Sequence, residues 1–214
     1  MLILLPPSEK KKAATSQEKF ELGSLVFATE LSDTRSQSTA SHDSSKTSPA
    51  IEIYDGVLFQ GLNWKELTTV EQKRANSKVL IVSALFGLVR PLDKIFSYKE
   101  KIDNKLWCEA VAQVSAKYSN ELIIDCRSST YKGVWTINPQ NTVEVRVFKV
   151  NGTERNVITH MSKKYRGELT GHLLKQSTDP TTAAEVQRIA AQLFECELHA
   201  PVDGQPWALD LLIS

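Results

Sequence analysis

The chain has 214 residues, 41% of them hydrophobic, with 26 basic and 25 acidic side chains and a formal net charge of +1. That length buries a substantial core within one domain, and the near-neutral balance excludes a uniformly basic nucleic-acid binder, so a phosphate-binding surface must come from uneven charge placement. Cys108, Cys126 and Cys196 are odd in number and fall outside any C-x-x-C spacing, which excludes a disulfide framework and a zinc knuckle.

In chain order, Leu2-Ile3-Leu4-Leu5 is a short apolar run that reads as a strand buried on both faces. It opens into Pro6-Pro7-Ser8-Glu9-Lys10-Lys11-Lys12, a hydroxyl, a carboxylate and three ammonium groups suited to holding a phosphate or carboxylate. The glycines of a Walker loop are absent, and Lys11 is the cation singled out. Ser32 to Ser48 is rich in Ser and Thr and lacks apolar anchors, which predicts a mobile surface loop. Ile51, Tyr54, Val57 and Leu58 fit a short helix, although Ile51 and Ile53 also alternate like a strand.

Lys78 to Val82 is a second apolar, β-branched run, and it hands over to residues 83–98, which carry Arg90, Asp93 and Tyr98. Arg90 is the leading binding candidate, because its planar fork reads phosphate bidentately and Pro91 restricts its backbone. Asp93 either orients that guanidinium or pins the loop. Asp103 caps a helix bearing Leu106, Trp107, Ala110, Val111 and Val114 on one stripe, with Trp107 in the core.

Leu122 to Asp125 is a third apolar run, followed by Arg127, Ser128, Ser129 and Tyr131. Alternation puts Asp125 and Arg127 on one side, giving a phosphate site with Asp125 as base or metal ligand, or else a hydroxyl turn. Cys126, beside Arg127, is either a favoured thiolate or a buried small hydrophobe.

Val143, Val145 and Val147 alternate like a half-exposed strand, Asn151-Gly152 is a hairpin turn, and Asn156 to Thr159 returns as its partner. A helix begins at Ser162 and runs through Gln176; at its start Lys163, Lys164 and Arg166 attract phosphate or form a solvated face, and Tyr165 offers a stacking ring. Pro180 precedes a further helix ending near Ala191, and 192–199 and 206–213 read as strands. His42, His160, His172 and His199 show no ligand spacing, so no metal or other cofactor is expected, and His160 is either a cleft residue or a satisfied buried histidine.

Three apolar runs that each end in a polar, basic loop predict an α/β (α+β) fold: one domain over 1–214, a mixed sheet flanked by helices, and a basic cleft where the strand-end loops converge. Two functions compete for that cleft. One is binding of double-stranded or structured DNA through Ser8, Lys11, Arg90, Tyr98, Arg127, Ser128, Lys163, Lys164 and Arg166. The other is an enzyme for a nucleotide or other small anion, with Asp93, Asp125 and Tyr131 as catalytic candidates. No apolar stretch spans a bilayer and Met1 leads straight into a strand, so the expected location is the cytoplasm, with no membrane partner.

Five segments occur in order: Pro6-Pro7-Ser8-Glu9-x-Lys11, Tyr54-x-Gly56-Val57-Leu58-Phe59-x-Gly61-Leu62, Gly87-Leu88-x-Arg90-Pro91-Leu92-Asp93, Asp125-x-Arg127-Ser128-x-x-Tyr131 and Lys163-Lys164-x-Arg166-Gly167. With them the chain resembles the YaaA family of bacterial peroxide-stress proteins from Met1 to its carboxyl terminus, least over 13–48. The resemblance implies a cytoplasmic protein that limits unincorporated iron and spares DNA from hydroxyl radicals. It also implies a double-stranded DNA binder with a positively charged cleft and a helix-hairpin-helix-like element, sought here at Ser83–Val89, where Ala84 replaces a common glycine.

Overall fold

The computed structural model describes residues 1–42, 45–152, 154–158 and 161–214. Its first elements are β1 (Leu2–Leu5), α1 (Ser32–Thr39), β2 (Ser48–Pro49), α2 (Ala50–Ile53), α3 (Val57–Leu62) and α4 (Thr69–Lys78). The middle holds β3 (Val79–Ser83), β4 (Gly87–Val89), β5 (Lys94–Ile95), α5 (Asn104–Ala116), β6 (Ile123–Asp125) and α6 (Ser129–Lys132). The last third holds β7 (Thr142–Asn151), β8 (Glu154–Val157), α7 (Ser162–Lys175), α8 (Ala183–Ala190), β9 (Glu195–His199) and β10 (Trp207–Ile213).

The apolar runs become the inner strands of an eight-stranded mixed sheet ordered β4-β3-β1-β6-β7-β10-β9, with β8 paired to β7. β3, β1, β6, β7 and β10 are parallel neighbours, while β4, β8 and β9 pair antiparallel. Continuous hydrophobicity follows from burial on both faces: Ile3 and Leu5 enter one core and Leu2 and Leu4 the other. Each such side chain contributes about 1.5–3 kcal/mol by leaving water. α5 covers the second face through Trp107, Val111 and Val114, and Asp103 caps it by accepting from the Lys105 and Leu106 N–H groups. α7 and α8 cover the first face.

α3 and α7 approach so closely that a Cβ on Gly167 would lie 1.9 Å from the Leu58 carbonyl oxygen. That contact explains the glycine within a helix, where it otherwise costs stability.

Strand order sets the functional geometry. From β1 the chain passes to β3 on one side, and then crosses to β6 on the other. The carboxyl ends of β1 and β6 therefore flank a topological switch point, where crevices open in such sheets.

Three expectations need correction. Ser32–Thr39, expected within a Ser/Thr-rich loop, is a helix. Its anchor is polar: Arg35 is fully buried and donates to the Phe86 and Leu88 carbonyls at 3.0 and 2.6 Å. Thr47 and Ser48 are buried as well, while 43 and 44 of that segment lie outside the described residues.

Next, Ser83–Val89 is a β-hairpin rather than a helix-hairpin-helix, since Ser83 pairs with Gly87 and Ile81 with Val89. The turn depends on Gly87, whose φ of +71° suits glycine. Finally, the helix expected around Ile51–Leu58 is two short helices, broken at Tyr54 to Gly56. β7 pairs antiparallel with β8 across 151–152 as expected, but the return strand is Glu154–Val157 rather than 156–159, and 153, 159 and 160 lie outside the described residues. Among the described residues no helix is long and apolar enough to cross a membrane.

Candidate anion-binding cleft

A cleft of about 700 Å³ opens at the switch point. The loop after β1 supplies Pro6 to Glu9 and Lys11, and the loop after β6 supplies Ser128, Thr130 and Tyr131. Lys99 to Ile102 form a third wall, and Lys163, at the start of α7, a fourth. Four lysines and two glutamates thus share one space, and among the described residues none of those lysines has a carboxylate within ion-pairing distance.

Local backbone pairing explains why Lys11 differs from its neighbours. Lys11 forms an isolated antiparallel bridge with Tyr54, flanked by Lys12 N–H to Ile53 O at 2.8 Å and Asp55 N–H to Lys10 O at 3.0 Å. Side chains alternate along such a segment. Lys10 and Lys12 both reach Asp55, at 2.7 and 3.1 Å, and Lys11 instead lies over the Tyr98 ring, 4.1 Å from its centroid, with Tyr54 at 5.9 Å. Burial pulls the Lys11 ammonium below its ordinary pKa, while Glu100 and Glu9 act in the opposite direction. The ring faces also favour the cation.

Under Lys11 runs a closed hydroxyl chain. Ser83 Oγ lies 2.8 Å from the Tyr98 hydroxyl, which lies 3.0 Å from the Tyr54 hydroxyl, and Ser83 Oγ accepts the Phe86 N–H at 3.1 Å. Burial pushes the Tyr98 phenol up to about 12 and Tyr54 well above its ordinary value, so both stay protonated.

The candidates read from the sequence separate into two groups. Ser8, Lys11, Ser128, Tyr131 and Lys163 come together in the cleft, with Tyr98 beneath Lys11. Ser8 itself is buried and its hydroxyl donates to the Lys10 carbonyl, which shapes the loop.

Arg90 and Asp93 do not join that group. Because β4 runs back along β3, Arg90 emerges at the amino end of β3, where its guanidinium donates to the Asn76 carbonyl at 2.6 Å. Asp93 Oδ2 accepts the backbone N–H groups of Arg90 and Val26 at 2.9 and 3.1 Å, which pins the loop and leaves the guanidinium alone. Burial raises the Asp93 pKa.

Asp125 and Arg127 do share one side, as alternation predicts, but they face each other. Arg127 Nε and Nη2 bond the two Asp125 oxygens at 2.9 and 2.8 Å, Nη1 reaches the Tyr131, Lys132 and Trp135 carbonyls, and both residues are 2% exposed. Arg166 donates to the Val145 and Arg127 carbonyls, Lys164 lies 3.5 Å from Glu168, and Tyr165 packs edge-on against Phe194. Cys126 is the buried alternative, its thiol pushed up to about 12 by desolvation. Among the described residues no group of three or more His, Cys, Asp or Glu is placed to hold a metal ion.

Sequence reasoning missed Lys99, Glu100, Lys101, Thr130 and Tyr54. A run of charges directly after Tyr98 was the available signal for the first three; the Lys11–Tyr54 pairing joins distant segments and leaves no local mark. A separate hollow of about 650 Å³, lined by residues including Lys12, Asp55, Phe59, Trp64 and Lys65, shares no residue with the cleft, and its Lys12 is paired with Asp55.

Comparison with known proteins adds a family. A family model described as peroxide stress protein YaaA matches residues 20–198. A UPF0246 protein of Streptomyces coelicolor is 31% identical over 258 aligned positions, covering 100% of this chain and 98% of its own length. A UPF0246 protein of Corynebacterium efficiens is 33% identical over 231 positions, covering 89% and 91%. One from Legionella pneumophila is 26% identical, covering 72% and 66%.

Proposed function

We propose that this chain, which belongs to the peroxide stress protein YaaA family, acts in the oxidative-stress response by binding phosphate-bearing ligands in the switch-point cleft, DNA among them. The observation that carries this reading is the set of four lysines, Lys11, Lys99, Lys101 and Lys163, that share one concave space at the strand carboxyl ends with no carboxylate partner among the described residues. Lysine ammonium groups bind phosphate as point charges and release counterions on doing so. The start of α7, where Lys163 stands, adds backbone N–H dipoles of the favourable sign.

DNA bound this way is held through its backbone, in the cytoplasm, with few base contacts. The family resemblance adds limitation of unincorporated iron, which would spare DNA from hydroxyl radicals. A second reading, a free nucleotide or other small anion turned over in the same cleft, is favoured by Glu9, Glu100 and Tyr131, since a plain phosphate clamp has no use for carboxylates.

A thermal-shift panel of mononucleotides, duplex DNA and bubble DNA at two salt concentrations separates the two. Stabilisation by DNA alone that fades at high salt supports the first, whereas a salt-resistant shift from one mononucleotide supports the second. No shift from any phosphate-bearing compound would remove both.

A further inference from the structure

We propose that Lys11 is a nucleophilic amine that forms an imine with the carbonyl carbon of a phosphorylated aldehyde held in the cleft. The inference rests on the phosphate-binding reading, because the remaining lysines of the cleft are what would seat the phosphate. Three observations single out Lys11 among the lysines of the cleft. Its side chain is half-buried where those of Lys99 and Lys101 are exposed, and among the described residues it has no carboxylate within ion-pairing distance, whereas Lys10 and Lys12 share Asp55. Its Nζ is fixed over the Tyr98 ring at 4.1 Å by the backbone bridge to Tyr54. Its solvation favours the neutral amine more than that of a surface lysine does, the direction an amine nucleophile needs.

The groups facing it complete the chemistry. Glu9 and Glu100 share the space and raise its proton affinity, Tyr54 and Tyr98 lie beneath it, and Lys99, Lys101 and Lys163 line the same space. Tyr131, whose phenol is held protonated by burial and by Glu9, lines the cleft as a proton donor.

In the step itself, the neutral Nζ lone pair forms a C–N bond to the carbonyl carbon and the C=O π pair moves to oxygen, which takes a proton while the nitrogen, now cationic, gives one up, leaving the neutral carbinolamine. The carbinolamine then takes a second proton on oxygen and expels water as the nitrogen lone pair forms C=N. No oxidant or reductant is needed, and water reverses the step. The product is an iminium cation, so the aromatic faces that hold the ammonium hold the product as well.

The test uses the full chain, glyceraldehyde 3-phosphate as probe, reduction by cyanoborohydride and peptide mass spectrometry. The expected result is a reduced adduct concentrated at Lys11 and suppressed by excess inorganic phosphate. Lys11→Arg should lose the adduct, and the wild type should show a thermal shift with inorganic phosphate.

A label spread evenly over surface lysines, or an undiminished total in Lys11→Arg, overturns the proposal. A ligand-induced shift in the wild type without an adduct at Lys11 overturns the imine and leaves the binding reading standing. Absence of any shift in the wild type overturns the binding reading on which the imine depends.

Discussion

Two groups of cations in this protein have opposite uses. In the cleft at the ends of β1 and β6 they are lysines with no carboxylate partner among the described residues, while around the hairpin and the β6 loop they are arginines spent on the protein's own carbonyls and carboxylates. Arg35 holds α1 to the β3–β4 hairpin, Arg90 closes the amino end of β3, and Arg127 and Arg166 tie the β6 loop to its surroundings. A guanidinium offers five donors in a fixed fork and suits buried oxygens, whereas an ammonium on a flexible stem keeps its charge for a mobile partner. Residue type thus separates scaffold from site here, although both are basic.

Substitutions test that division in order of expected size. Arg127→Ala strands the Asp125 carboxylate in the core, 2% exposed, and should cost about 3–5 kcal/mol, read by chemical denaturation. A loss near zero would mean that Arg127 is available to a ligand after all.

Arg35→Ala removes donors from two buried carbonyls and should cost about 1–3 kcal/mol for each group left unsatisfied. Hydrogen exchange should rise over Ser32–Thr39 in particular, because that helix has little apolar surface to hold it.

Arg90→Ala loses one bond to the Asn76 carbonyl, so about 1 kcal/mol is expected, with ligand binding unchanged. Loss of binding with the fold intact would return Arg90 to the site.

Lys11→Met gives the smallest stability change and an informative pH dependence. Burial lowers the Lys11 pKa in the folded state, so between that lowered value and 10.5 the unfolded chain binds more protons and stability rises with pH. Below the folded-state value the buried charge is a full penalty, which the variant lacks. Lys11→Met should therefore be at least as stable as the wild type at neutral pH, with the difference closing as pH rises towards 10.5. Thermal melts from neutral to alkaline pH measure it, and a wild type that outlasts the variant throughout would mean that the aromatic faces outweigh burial.

Much of the scaffold was legible because its strands are extreme in composition. Leu2–Leu5, Val79–Ser83 and Ile123–Asp125 carry apolar side chains on both faces, and only a doubly covered sheet tolerates that. The Asp103 cap and the stripe through Trp107 were equally local.

What the sequence hid depended on pairing at a distance. Residues 83–98 look like one long loop, yet Gly87 turns the chain back and carries Arg90 to the opposite end of β3. The polar tract after Leu31 has no apolar anchor, and the buried guanidinium that replaces one looks like any surface arginine until Phe86 and Leu88 arrive. In the site, Ser8, Lys11, Ser128, Tyr131 and Lys163 were legible as strand-end and helix-start residues, but the wall made by Lys99 to Ile102 was not.

The central claim is that free lysines of the cleft, rather than the arginines, hold phosphate. Equilibrium binding of duplex DNA across a salt series, for wild type, Lys11→Gln with Lys163→Gln, and Arg90→Gln, tests it most directly. Each phosphate contact adds about 0.9 to the slope of log affinity against log salt. The account predicts a slope shallower by about two such increments in the double lysine variant and an unchanged slope in Arg90→Gln. An unchanged slope in the lysine variant with a shallower one in Arg90→Gln would contradict it.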